Sequence, residues 1–330
     1  MQRGFTLCLV ALLIQFSLVG SGMAAEEPRD PKAGTAGAAG ALQGTIRVSG
    51  AWALYPMMVR WGEEFNRLHP KLRIDISAGG AGKGMTDALS GLVDMGMISR
   101  EIKPEETKKG AFFVPVVKDA VFPTMNAANP VLDKLLEKGV RKENLVDLWI
   151  GGKPSTWGTI TGTSAKERVQ VYTRSDSCGA AETWAQYLGD KKQEDLNGVG
   201  VYGDPGLAEA VRRDKLGIGF NNLNYAYDAK SGLALQGIRV IPIDVNGNGR
   251  VDPFEDLSTK EKAVKAVVSG VYPSPPARDL HVATKDGFKG PAGEFVRWIL
   301  ADGQKYVEES GYIRLSEKQI KEALKKMGKK

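Results

Sequence analysis

Arg174, Asp176 and Cys178 stand two residues apart, immediately before Gly179-Ala180-Ala181. A guanidinium presents a planar fork of N–H donors suited to an oxyanion. A carboxylate two residues on would hold that fork in place and temper its charge. The surrounding chain supplies further donors. Val169 to Arg174 alternates apolar and polar residues with β-branched members, which reads as a strand, and Ala180 to Tyr187 reads as the start of a helix. Free amides at a helix start, reinforced by the helix dipole, attract an anion. A surface Arg–Asp pair on an ordinary strand-to-helix turn fits the same residues. Cys178 allows another chemistry, because the dipole and Arg174 would lower its pKa and make it a nucleophile. An enzyme would also need a base, and neither His69, beside Pro70, nor His281 stands in a convincing site. A small half-buried thiol filling space is the alternative.

A second set of residues points to a metal. Asp244, Asn246, Asn248, Arg250, Asp252 and Glu255 occupy positions 1, 3, 5, 7, 9 and 12 of a twelve-residue EF-hand-type loop, with Gly249 at the turn. Five would offer side-chain oxygens and Arg250 its carbonyl, so the expected cofactor is a structural Ca2+. A strand precedes the loop where a helix is usual, and no second copy follows. The expectation is an isolated clip and not a paired sensor. An Asx-rich turn without metal is the other reading.

The strand, turn and helix pattern around Arg174 occurs twice before it. Thr45 to Ser49 reads as a strand, followed by Gly50 to Pro56 and a helix with Met58, Trp61, Phe65 and Leu68 on one face. Leu72 to Ile76 is a second strand, followed by Ser77-Ala78-Gly79-Gly80-Ala81-Gly82-Lys83-Gly84. That run fails the phosphate-loop pattern of nucleotide hydrolases at Ser77 and Gly84. It remains a turn whose amides can face an anion, with Lys83 as an added charge or a solvated loop lysine. Val93 to Arg100 is a short strand ending in Ser99 and Arg100, a hydroxyl and a guanidinium. Ala111–Val117 is an apolar strand that continues through Ala120–Phe122, split by Lys118-Asp119, as in a crossing between lobes or at a sheet edge. Tyr272 to Arg278 reads as extended, because its prolines exclude a helix.

Residues 1–25 have the charge, apolar core and small-residue cleavage pattern of a secretory signal, and Arg29 to Gly44 is a leader poor in core-forming residues. An exported protein is expected, periplasmic or secreted. After cleavage Cys178 is the sole cysteine, so no intramolecular disulfide and no ordinary zinc site can form. A formal charge of +6 with both signs abundant gives no nucleic-acid footprint.

Several stretches, taken in order, resemble the phosphate-binding proteins of bacterial ABC importers. They are Ser49-Gly50-Ala51 to Pro56, Gly79 to Gly84, Val93 to Arg100, Arg174 to Glu182, Tyr272-Pro273 to Arg278, and Gly311-Tyr312-Ile313. The resemblance covers nearly everything after the leader except the calcium loop. It implies a two-lobed α/β fold of the type II periplasmic-binding-protein class, closing on a tetrahedral oxyanion. Residues 45–118 plus 274–330 would form one lobe, and 119–273 the other. Ala53, Leu54, Gly80, Ala81, Lys83, Ser99 or Arg100, Arg174, Asp176, Cys178, Gly179 and Ala180 would be the ligand-facing positions. Leu54, Ala81, Cys178 and Ala180 stand where the family has hydroxyls. Either Lys83 and Arg100 replace those hydroxyls with charge, or the ligand is another anion. The implied partners are phosphate or a related oxyanion and an ABC permease, with the binding protein itself a monomer. Two other classes remain open: a ligand-free envelope or adhesion module on the same fold, and a Cys-dependent hydrolase.

Overall fold

The computed structural model describes residues 42–152 and 155–328. The expected signal peptide and the leader up to residue 41 lie outside them. The described residues form one compact unit. Its strands are β1 (Gly44–Gly50), β2 (Leu72–Ala78), β3 (Met95–Ile98), β4 (Ala111–Asn126), β5 (Gln170–Arg174), β6 (Val199–Val201), β7 (Gly217–Asn222), β8 (Ile238–Val240) and β9 (Ala277–Lys285). Among the described residues they form one mixed sheet in the order β2-β1-β3-β9-β4-β7-β5-β6, with β8 also on β4.

The sheet is shared by two cores. Val114, Val116 and Val117 of β4, with Leu280, Val282 and Ala283 of β9, belong to a hydrophobic cluster that also holds Ile46, Val48, Met58, Trp61, Phe65 and Phe295. Ala120, Val121, Phe122 and Met125 of β4, with Ala277 of β9, belong to a second cluster built on Trp149, Trp157, Trp184 and Phe220. Between them the antiparallel register sets Lys118 opposite Asp279 and Asp119 opposite Arg278. Charged residues cannot continue an apolar core without partners, so the cores part where these four residues pair across the strands.

Burial on one face explains the helices. Met57, Met58, Trp61 and Phe65 of helix Tyr55–Leu68 are buried, and Trp61 Nε1 donates to the carbonyl of Gly303 at 2.8 Å. In helix Gly179–Tyr187, Trp184 stacks on Phe220 with centroids 5.7 Å apart and meets Trp149 edge-on at 5.4 Å. Burying each such ring contributes about 1.5–3 kcal/mol.

As expected, Ala111–Val117 continues through Ala120–Phe122 as one sixteen-residue strand, bulged between Pro115 and Val117 and interior to the sheet, so Lys118-Asp119 marks a crossing and not an edge. Two expectations need correction. Ser99 and Arg100 lie in the turn after β3 and not within the strand. Tyr272 to Arg278 is not extended throughout. It turns at residues 274–276, where Ser274 Oγ donates to the Ala277 carbonyl at 2.6 Å, and β9 starts only at Ala277.

Candidate oxyanion site

Four chain turns meet where the two cores face each other. The first core supplies the segment Ala51–Leu54 before helix Tyr55–Leu68, the segment Gly79–Gly80 before helix Ala81–Ser90, and Ser99 after β3. The amides of Gly79 and Gly80 donate to the Gly50 carbonyl at 2.9 and 3.0 Å, and Ala51 donates to the Met97 carbonyl at 2.9 Å, which ties the three turns together. The second core supplies Ser175–Cys178 and the start of helix Gly179–Tyr187.

The two sides touch. The Gly82 amide donates to the Ser177 carbonyl at 3.3 Å. A Cβ on Gly80, whose φ is +90°, would sit 2.4 Å from the Ser177 carbonyl oxygen and 3.2 Å from Asp176 Oδ2. One on Gly179 would sit 2.2 Å from the Ser99 carbonyl oxygen and 2.3 Å from Ser99 Oγ. Only glycine permits this approach. Ala53, Leu54, Ala81, Ser99, Arg174, Cys178 and Ala180 are all buried here. The first-turn amides of Ala81, Gly179 and Ala180 have no intrahelical acceptor by the geometry of a helix start.

Arg174 ends β5 inside this group. Its Nε and Nη2 donate to Asp176 Oδ1 and Oδ2 at 2.8 and 2.7 Å, and its Nη1 donates to Asp204 Oδ1 at 2.5 Å. Burial disfavours the charged guanidinium, but Asp204 and then Asp176 more than offset this, so its pKa is raised. For Asp204 burial outweighs the pull of Arg174 and Arg278, and its pKa is raised too. Asp176 also accepts the Gly203 amide at 3.1 Å. Three of the five guanidinium N–H groups are thus assigned to Asp176 and Asp204.

Residues 35–302 match the PBP superfamily domain. The chain belongs to the PBP superfamily. Phosphate-binding protein PstS of Pseudomonas aeruginosa is 25% identical over 313 residues, covering 88% of this chain and 89% of that one. Protein SphX of Synechococcus elongatus is 25% identical over 296 residues, covering 85% and 80%. Among solved structures, a Clostridium perfringens protein classed as a phosphate ABC transporter substrate-binding protein, with phosphate bound, aligns with a TM-score of 0.68. It is 21% identical and covers 83% of this chain and 100% of its own. An ABC-type phosphate transport receptor from Vibrio cholerae aligns at 0.58 with 18% identity, covering 82% and 100%. The two-lobed α/β fold expected from the sequence is the fold of this superfamily.

Within this PBP-superfamily fold, two expected charges are directed elsewhere. Lys83 Nζ is bound to Asp87 one helical turn on, and Asp87 also accepts from Ser49 Oγ at 2.7 Å. The Arg100 fork closes on Glu106, Nη1 to Oε2 at 3.0 Å and Nη2 to Oε1 at 2.6 Å. Each cation has a carboxylate of its own within reach, so neither replaces the missing hydroxyls with free charge. Of the two readings of Cys178, the space-filling thiol fits and the activated nucleophile does not. Burial pushes its thiol up to about 12, against the pull of Arg174 and with Asp204 and Asp176 adding to the rise. Its Sγ caps the helix by accepting the Ala181 amide at 3.4 Å, which is a structural role for a protonated thiol.

Sequence reading missed the polar layer behind Arg174. Arg278 Nε donates to the Ser99 carbonyl at 3.1 Å, its Nη2 bonds Asn222 Oδ1, and its Nη1 lies 3.4 Å from Asp119 Oδ2. Asp204 lies in the first turn of helix Gly203–Arg213, and Asp119 was visible only as half of a charged pair. The signal available was a charge set among apolar neighbours, which has no place in a core unless paired.

The loop Asp244–Glu255 is closed by its own polar groups. Asp244 accepts the amides of Asn248 and Gly249 at 3.1 and 3.0 Å. Glu255 accepts those of Val245 and Asp252 at 2.8 and 2.9 Å. Asp252 Oδ2 accepts from Asn246 and Asn248, and its Oδ1 lies 3.1 Å from Arg250 Nε. Among the described residues no three His, Cys, Asp or Glu side chains gather as a metal cluster. The donor set for calcium would have to include the two asparagines and the Arg250 carbonyl.

Proposed function

We propose that this protein captures phosphate or a closely related oxyanion between its two cores and presents it to an ABC permease, as an exported, monomeric solute-binding protein. The observation that carries the reading is the meeting of the turns at Gly80, Ser99 and Gly179, brought from three strands, beside the Arg174–Asp176 pair. The names of the relatives support phosphate as the first ligand to test. The absence of hydroxyls at Leu54, Ala81 and Ala180 shifts recognition onto backbone amides and Arg174, because a lost hydrogen bond to a charged acceptor costs about 1.5–3 kcal/mol. A Cys178 thiol held protonated and used as a helix cap favours binding over turnover.

Low-salt calorimetry with phosphate, arsenate, sulfate and methylphosphonate tests the proposal. Saturable binding of at least one, abolished in Arg174→Ala, is the expected result. A folded sample that answers to none of them supports the ligand-free envelope module. The loop 244–255 is proposed to take Ca2+ as a structural ion, supported by its residue pattern and by the left-handed turns at Gly247 and Gly249.

A further inference from the structure

Beside the crossing strands lies a cavity of 490 Å³ that none of the proposed oxyanion ligands lines. One wall is β9 and β4, with Arg278, Asp279, His281, Lys118 and Phe113, and Glu101 lies nearby on the first core's side. Thr183 and Gln186 of helix Gly179–Tyr187 close it from the second core. The volume is that of a small-molecule pocket.

Its polar wall is incompletely satisfied. Among the described residues, Arg278 Nη1, Asp279 Oδ1 and His281 Nδ1 are buried atoms without a hydrogen-bond partner. Arg278 Nη1 meets Asp119 only as an ion pair at 3.4 Å, and Asp279 Oδ1 meets Lys118 Nζ only at 3.8 Å. These three atoms are closed off behind the wall, so an occupant meets the partly exposed Lys118 and Asp279 side chains, the latter with Oδ2 already accepting from Gln319 Nε2 at 2.8 Å, together with Glu101.

The charges of the wall define that occupant. Lys118 and Arg278 balance Glu101 and Asp279, while burial pushes His281 down to about 4 and leaves it neutral at pH 7. A balanced wall gives a multiply charged anion no advantage, which separates this cavity from the oxyanion site. Phe113, Ile102 and Pro275 add an apolar side. We infer that the cavity is a second binding site, for a zwitterion of amino-acid type. Its carboxylate would face Lys118, its ammonium Asp279 and Glu101, and its side chain Phe113. Because the walls come from both cores, an occupant would favour the arrangement that holds them together.

Calorimetry and thermal melts with the neutral L-amino acids, added singly at millimolar concentration without any oxyanion, test this. L-Leucine and L-phenylalanine come first. Saturable binding with a raised melting temperature is expected, weakened roughly tenfold or more in Asp279→Asn and in Lys118→Met. If either variant fails to fold, Gln186→Trp, which obstructs the cavity from a partly exposed helix position, takes its place and should also weaken binding. No saturable binding of any neutral amino acid to folded protein overturns the inference, as does binding that these variants leave unchanged. Phosphate binding is measured separately, so either reading can fail while the other stands.

Discussion

Arg174 and Asp204 meet through a 2.5 Å contact between Nη1 and Oδ1, with both side chains almost wholly buried. Asp176 takes the other edge of the same guanidinium. Removing the cation would leave two carboxylates buried beside each other, and breaking a buried pair in this way costs about 3–5 kcal/mol. Arg174→Ala should therefore lose both oxyanion binding and stability, as read by calorimetry and urea unfolding. Arg174→Lys should keep more of the stability than of the binding, because an ammonium lacks the fork. Equal recovery of both would argue against a ligand-facing guanidinium.

Gly179→Ala separates closure from folding. The new Cβ would stand 2.2 Å from the Ser99 carbonyl oxygen, across the boundary between the cores. As the first residue of helix Gly179–Tyr187, position 179 does not itself require glycine, so the substitution acts chiefly through the contact with Ser99. The expected outcome is a phosphate affinity reduced at least tenfold with urea stability nearly unchanged. An undiminished affinity would show that this contact is not needed for capture.

Cys178 should be unreactive in the folded protein. Its thiol is pushed from 9.0 up to about 12 by burial, so iodoacetamide at pH 8 should modify it only after unfolding. With the folded pKa raised, its contribution to stability is fully present below pH 9 and is lost as pH rises through about 12. Cys178→Ser keeps a capping atom and should retain the fold. Rapid alkylation of native protein would reopen the nucleophile reading.

His281 sets a limit on the acid side. Burial first, and then Lys326, depress its pKa from 6.5 to about 4. The unfolded chain therefore binds the extra proton between these values. The associated stability is present above pH 6.5 and is lost as pH falls through about 4. His281→Phe should flatten that part of the melting-temperature profile. A variant whose acid limb matches the parent would place the proton elsewhere.

For the loop, calcium should raise the melting temperature, and Glu255→Ala should abolish the increment. Glu255 also accepts two backbone amides, so the variant should melt lower even without the ion, by about 1–3 kcal/mol. The difference made by calcium is thus the decisive quantity. An identical melt with millimolar calcium and with chelator would show that the loop is held by its own hydrogen bonds.

Local signals were readable where chemistry and backbone agree. Glycine before a helix start, strand alternation at Gln170–Arg174 and the apolar stripe of Tyr55–Leu68 need only neighbours in the chain. The same signals located the turns at Gly80 and Gly179, whereas Ser99 was read as the end of a strand. Lys83 and Arg100 were misread because a lysine or arginine near a glycine turn looks alike whether it faces a ligand or a carboxylate. Asp87 and Glu106 decide the matter, and side-chain geometry reveals it.

The amino-acid sequence alone determined which segments would be strands and helices, where amides would be left unpaired, and that Arg174 and Asp176 would act together, since these follow from period, propensity and short spacing. Tertiary structure alone decided that Asp204 and Arg278 join them, that Cys178 is a buried cap, and that a mixed-charge cavity lies between the cores. Those outcomes depend on desolvation and on contacts between residues tens to hundreds of positions apart, and both arise only when the crossing strands β4 and β9 bring the two cores together.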